Sequence, residues 1–515
     1  MGVIIMKARF TFLIALLVFA SCSHTSKPDD PGNGTDPTSG TETELRPGLC
    51  GLGEPLMSTH LKAYNASGTY TDINNYSNRS LALIAAIHPR TYRMWFDTGT
   101  TYGGWKWNEV QMTKESDFSN FGVGIKARTH QILGTLKSNG VEEITAVVGC
   151  LPRVPSTAVN TAKNYVPKPD SDEYKTFMQY VEWMYKALAK EYSEVDVWEV
   201  GNETNYGAIK YIDNDNLDYN TLARIMSDMF YAARKGVKAG NPDAKTITSG
   251  FAPISSYKLA ADETIGTKSK TVLRKYGIES TADFMELIYK YIETGRFPSY
   301  LEKKSTDPDD YFDGVTIHAY DLGSSLVIAE SRHPDDWYNS EPINTNDPDS
   351  TAFTTFHWLK AIETVYEVMQ EHTDSEKRIW ITEFGVTTHT KHLTQSAEPP
   401  VGHPYAMRMQ LGSSNYAWYY TSDEYERQHA WIAEEYMKAL NTLDCVHTCH
   451  FFRLHSPNAD TSWSGGTTAT MFGIFAEPDE TLDRGIKPRP IAYAIQKLYK
   501  GEGDLEQFAS WNSIK

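Results

Sequence analysis

The sequence predicts one (β/α)8 barrel, the TIM-barrel fold class, and two observations predict it. Short strand-like runs alternate with longer helical stretches from residue 54 almost to the end, and the runs number eight. Such alternation implies parallel strands joined by helical crossovers. No GxGxxG or GxxxxGKS/T phosphate loop occurs anywhere, whereas a doubly wound open sheet usually carries one after its first strand. Eight units without that loop favour a closed ring.

Taken in order, the expected strands are Pro55–Leu61, Thr91–Phe96, Ile144–Cys150, Val195–Glu203, Thr246–Ala252, Gly314–Tyr320, Arg378–Phe384 and Thr448–Leu454. Gly51-Leu52-Gly53 is read as preceding the first strand. Helical patterns fill the intervals at Arg79–Ile87, Phe121–Asn139, Asp172–Tyr192, Leu222–Ala239, Ala282–Thr294, Ala352–Gln370 and Asp423–Leu443. A last helix, Ile491–Lys500, follows Pro488 and Pro490. In such a barrel, chemistry belongs at the C-terminal ends of the strands and in the loops that follow them. The loops after strands two, six, seven and eight are long and carry Trp105, Trp107, Trp337, Tyr338, Trp418, Tyr419, Tyr420 and Trp463. Loops of that length usually have a function, and a cluster of aromatics on one face suits the apolar faces of sugar rings.

Before the barrel lies an addressing segment. Lys7 and Arg9 precede an apolar run from Phe10 to Ala20, and small residues lead into Cys22. This is the layout of a signal peptide over residues 1–21. The run is shorter than the ~20 residues a spanning helix needs. Ala20-Ser21-Cys22 resembles a bacterial lipobox, which implies acylation of Cys22 and a lipid anchor in the membrane. Ordinary secretion with Cys22 as a bystander is the alternative. The expected location is the cell surface or the periplasmic face of the bacterial outer membrane. Residues 22–46 are rich in Ser, Thr, Pro, Gly and Asp and read as a flexible tether, leaving 47–515 as the folded domain.

A formal charge of −17, more acidic once Lys7 and Arg9 leave with the signal, argues against nucleic acid and polyanionic partners and favours neutral ones. Of five cysteines, Cys445 and Cys449 sit four apart near His447 and His450, a spacing that invites a metal. Yet Cys449 falls inside a strand pattern, where residues four apart lie ~13 Å from one another. Buried free thiols are therefore expected, with no metal and no cofactor.

The chemistry-bearing residues emerge from context. Asn-Glu occurs twice; Asn108-Glu109 lies in a polar loop, whereas Asn202-Glu203 closes the fourth strand, VDVWEVGNE. A second carboxylate, Glu383, closes the seventh strand, RIWITEFG. Two inward carboxylates at those ends could face each other across a glycosidic bond, one as proton donor and one as nucleophile.

Trp198-Glu-Val-Gly-Asn-Glu203 and Trp380-Ile-Thr-Glu383-Phe-Gly resemble the strand-four and strand-seven signatures of glycoside hydrolase clan A, retaining enzymes on this barrel such as families five, thirty-nine and fifty-one. The resemblance implies Glu203 as acid/base, Glu383 as nucleophile, and Asn202 bonded to the sugar hydroxyl next to the anomeric carbon. The acid should then rest neutral and the nucleophile ionised. It further implies that Arg93 supports the nucleophile and that His318 or Tyr320, in the strand-six His-x-Tyr, contacts nucleophile or substrate. A structural core histidine is the alternative for His318.

Departures exist. Gly201 stands where many members have Trp, Thr204 where Pro is common, and Gly149-Cys150 closes strand three without a polar residue. Strand eight offers no Trp platform, a role Trp463 could fill. The function expected is retaining hydrolysis of β-glycosidic bonds in a neutral glycan. The alternatives are an exo-acting arabinofuranosidase-like glycosidase and a non-catalytic glycan-binding surface lipoprotein. No HExxH or GxSxG motif supports a metallohydrolase or a serine hydrolase.

Overall fold

In the computed structural model the described residues run from 44 to 515, except 54–55, 57–59, 68, 97–112, 121–125, 150, 156–163, 170, 207–208, 211–218, 253–280, 295–304, 320–357, 386–391, 395–397, 412–414, 421–422 and 457–471. The signal segment, Cys22, most of the tether, Trp105, Trp107, Cys150, Tyr320, Trp337, Tyr338 and Trp463 lie outside them.

Eight strands form a closed ring: β1 (Cys50–Gly53), β2 (Thr91–Phe96), β3 (Glu143–Val148), β4 (Val197–Val200), β5 (Lys245–Ile247), β6 (Gly314–His318), β7 (Arg378–Phe384) and β8 (Val446–Phe452). Each pairs in parallel with its neighbours in chain order, and β8 closes on β1. A helix follows every strand: α1 (Tyr76–Ile87), α2 (Lys126–Ser138), α3 (Asp172–Glu191), α4 (Tyr219–Gly240), α5 (Thr281–Thr294), α6 (Trp358–Glu371), α7 (Asp423–Leu440) and α8 (Pro490–Leu498). The fold is the (β/α)8 barrel. Helix α3 shows why its sequence is helical. The Ser171 side chain accepts a hydrogen bond from the Tyr174 amide, and Tyr174, Phe177, Met178, Val181, Met184, Tyr185 and Leu188 form one buried face at helical spacing.

The first strand is a correction. It is Cys50–Gly53, not Pro55–Leu61; His60–Tyr64 instead pairs antiparallel with Tyr70–Asn74 in a hairpin beyond the ring. Two glycines normally argue against a strand. Here Gly51 faces the interior with no room for a side chain: a Cβ there would lie 2.4 Å from Thr91 Oγ1 and 2.9 Å from the Cys449 carbonyl. A second correction concerns Trp418, which is fully buried rather than displayed in a loop. It belongs to a three-stranded antiparallel sheet (His392–Thr394, Met407–Leu411, Asn415–Tyr420), with the Arg408 guanidinium 4.7 Å from its ring centre. Cys50, Cys445 and Cys449 are all buried, and Cys50 and Cys449 carry free thiols.

The barrel interior rises in layers. Near the base, Val197, Ile247 and Trp380 pack together, and Trp380 Nε1 donates to Glu143 Oε1 at 3.0 Å. Above them Thr91 and Thr448 share a hydrogen bond of 2.7 Å. The upper layer is ionic, and a break in β7 builds part of it. Ile317 pairs with Ile381 but His318 pairs with Glu383, so Thr382 is skipped; the register against β8 shifts in the same place. This bulge turns two consecutive residues inward where strict alternation would allow one.

Replacing Gly51 with valine should destabilise the barrel by about 1–3 kcal/mol, the usual cost of overpacking. Urea denaturation followed by tryptophan fluorescence would measure it, and an unchanged midpoint would refute the packing account.

Candidate active site

Strand β4 delivers two carboxylates to the mouth. Glu199, Gly201 and Glu203 share one parity, and beyond Val200 the chain turns sharply: Gly201 has φ 84° and Glu203 has φ 47°. The turn is pinned to β5, since the Glu203 amide donates to the Gly250 carbonyl at 2.8 Å. Gly201 has no room for a side chain, because a Cβ would lie 2.8 Å from Thr204 Cγ2. Gly201 and Thr204 thus depend on one another sterically. A left-handed glutamate is strained backbone, and such strain gathers at functional positions.

Around this turn converge Arg93 from β2, His318 from β6 and Glu383 from β7. Arg93 grips Glu199 with two nitrogens, Nε to Oε2 at 2.6 Å and Nη2 to Oε1 at 3.0 Å. Its Nη1 donates to Glu383 Oε1 at 2.5 Å, and Nη2 also donates to Asn202 Oδ1 at 2.8 Å. His318 Nδ1 lies 3.0 Å from Glu203 Oε1 and 3.5 Å from Glu383 Oε2. Donor atoms of Glu203, His318 and Glu383 fall within 4.8 Å of one another. Of the three carboxylates, Glu203 alone reaches solvent appreciably, its side chain 35% exposed against 8% for Glu383 and 0% for Glu199.

The charges follow from this packing. Burial opposes the charge of His318, but Glu383, Glu199 and Glu203 outweigh it and raise its pKa to about 9. Burial likewise opposes ionisation of Glu199, yet Arg93 and His318 hold it at about 2. Glu203 feels the same contest; burial raises it, but His318 and Arg93 prevail and lower it. A proton therefore rests on His318, with Glu199 ionised between it and Arg93. Glu203, His318 and Glu383 are also the one group of metal-ligand type found among the described residues. A cation there would have to displace the proton that His318 holds between the two carboxylates.

Five residues singled out from the sequence, Arg93, Asn202, Glu203, His318 and Glu383, thus come together, while Tyr320 and Trp463 lie outside the described residues. Two site residues were missed. Glu199 was hidden in an apolar strand, though its parity with Glu203 marks it as inward. Trp95 shares parity with Arg93 one step nearer the mouth, half-buried, its ring 5.2 Å from the Arg93 guanidinium and lying along Gly149. That ring accounts for the glycine closing β3: a Cβ on Gly149 would sit 3.2 Å from it.

No protein-family model matches the chain, and no curated protein matches it. Solved structures do. A family 39 glycoside hydrolase from Bacteroides cellulosilyticus WH2 is 15% identical, with 89% of this chain and 64% of that one covered and a TM-score of 0.44. A β-glucosidase from Thermotoga maritima in complex with castanospermine is 13% identical, with 90% and 99% covered and a TM-score of 0.47. A GH10 structure from Paenibacillus barcinonensis is 11% identical, with 88% and 96% covered and a TM-score of 0.43. The chain thus spans less than two thirds of the family 39 protein. The fold assignment itself rests on the closed ring of parallel strands.

The ion cluster makes stability depend on pH in two directions. The contribution of His318, raised from 6.5 to about 9, is complete below 6.5 and is lost as pH rises through about 9. That of Glu199, lowered from 4.5 to about 2, is complete above 4.5 and is lost as pH falls toward 2. Denaturation across pH should therefore show an alkaline decline that His318→Gln abolishes; a decline of equal size in the variant would refute the assignment.

Proposed function

We propose that this protein is a retaining glycoside hydrolase acting on β-glycosidic bonds of a neutral glycan, with Glu203 as acid/base and Glu383 as nucleophile. The separation of their carboxylates carries the reading. One oxygen of each lies within 4.8 Å of one of the other, a closest approach nearer the ~5–5.5 Å spacing of double displacement than the ~6.5–9.5 Å that inversion needs. In the first step a Glu383 oxygen bonds to the anomeric carbon as the glycosidic C–O bond breaks, and the leaving oxygen takes the proton of Glu203. In the second, Glu203 accepts a proton from water, whose oxygen attacks the anomeric carbon and frees Glu383. As the more exposed of the two glutamates, Glu203 can take from solvent the proton it donates.

Arg93 suits the nucleophile because Nη1 donates to one Glu383 oxygen and so orients the carboxyl group. Trp95 offers a ring beside the reacting carboxylates on which a sugar can stack. The acidic surface favours a neutral chain over a polyanionic one. We further propose that Cys22 carries lipid, so that hydrolysis takes place at a membrane surface. Cys22→Ala should move the protein from the detergent phase to the aqueous phase on detergent partitioning; no movement would leave ordinary secretion as the account.

Azide rescue separates the roles of the two glutamates. With Glu203→Ala, an activated aryl glycoside should still glycosylate the enzyme, and azide should release a glycosyl azide of retained configuration. With Glu383→Ala, azide should attack directly and give the inverted product. NMR of the two products decides: swapped outcomes would exchange the roles. A wild type that binds glycan yet shows no turnover on any neutral polysaccharide or aryl glycoside would instead favour the glycan-binding lipoprotein.

A further inference from the structure

The carboxylate that ties the site together belongs to neither proposed catalytic residue. Glu199 is fully buried, and its Oε1 alone receives Arg93 Nη2 at 3.0 Å, the Gly250 amide at 2.9 Å and Thr382 Oγ1 at 3.1 Å, with His318 Nε2 at 3.9 Å. Those partners come from β2, from the chain just beyond β5, and from β7 and β6. Together with β4, one oxygen joins five of the eight staves of the barrel at the level of the chemistry.

We propose that Glu199 is a positioning residue that controls the charge delivered to both catalytic glutamates, holding Arg93 on Glu383 and His318 on Glu203. The proposal rests on the glycosidase reading for the word catalytic; its electrostatic content does not. Arg93 has one guanidinium for Glu199, Glu383 and Asn202. Gripping the Nε and Nη2 edge leaves Nη1 as the nitrogen aimed at Glu383 and fixes its direction. His318 lies between carboxylates on both sides: Glu199 faces its Nε2, while Glu203 and Glu383 face its Nδ1. Among the described residues the charged groups that face it include those three carboxylates, with Arg93 beyond Glu199; the Gly250 backbone, just beyond β5, also approaches, and a Cβ there would lie 2.1 Å from Nε2 and 2.5 Å from Glu199 Oε1. A fixed negative charge behind the imidazole favours its protonated form, and the same charge opposes ionisation of Glu203.

Glu199→Gln keeps the size and removes the charge. In the full mature chain, the His318 titration read by imidazole NMR should fall by about one to three pH units, the usual effect of a neighbouring charge. Loss of this orienting group should lower kcat by about 10–100-fold with little change in KM, as loss of outer partners does at metal sites. The alkaline limb of kcat/KM should move to lower pH, whereas His318→Gln should move it to higher pH. A purely structural strap would lower the melting temperature and leave both titrations where they were, and that result overturns the proposal. If Glu199→Gln does not fold, Gly250→Ala drives a methyl between Glu199 and His318 with every charge kept. The His318 midpoint should fall there too, and an unmoved midpoint overturns the proposal equally. The NMR titration needs no substrate. A shifted midpoint in a protein without glycosidase turnover would therefore uphold the role of Glu199 while the functional reading fails.

Discussion

The fully buried pair of Arg93 and Glu199 is the interaction on which the rest of the mouth depends. Two unit charges are withdrawn from water inside a strand barrel, a cost that the bidentate grip and further hydrogen bonds to both partners must offset. Removing one member of such a pair typically costs about 3–5 kcal/mol, because the other is left buried and unpaired. The same grip decides which nitrogen of Arg93 meets Glu383 and which meets Asn202. Stability and site geometry are consequently one network, in which a change to either partner alters both.

Around that network, two local departures from regular strand geometry aim the proposed catalytic glutamates. Alternation along β7 would send Thr382 and Glu383 to opposite sides of the sheet. The skipped pairing at Thr382 lets the threonine steady Glu199 while the glutamate reaches Arg93. At the end of β4, left-handed residues at Gly201 and Glu203 bend the chain over β5, so that a glutamate four residues beyond Glu199 faces His318. Each departure is held by its neighbours: the first by pairing with β6, the second by the Gly250 carbonyl and Thr204.

Protonation ties these parts together. The proton held on His318 lies beside both proposed catalytic glutamates. Glu203 reaches solvent and Glu383 hardly does, an asymmetry that suits a proton donor and a nucleophile respectively.

By itself the sequence determined the barrel and singled out Arg93, Asn202, Glu203, His318 and Glu383, which meet at its mouth. Strict alternation of eight short apolar runs with helical stretches fits few other folds, and Glu203 and Glu383 each close a strand whose direction is fixed by that alternation. It misplaced β1, since Gly51 and Gly53 read as loop, and the need for glycine at Gly51 appears only in its packing against Thr91 and Cys449. Sequence also could not reveal Glu199 as the hub, because a carboxylate within VWEV has meaning only once Arg93, Gly250, Thr382 and His318 are brought to it from four other places in the ring. Nor could it place the proton: pKa values answer to distance and burial, and those exist only after strands far apart in the chain have closed on one another.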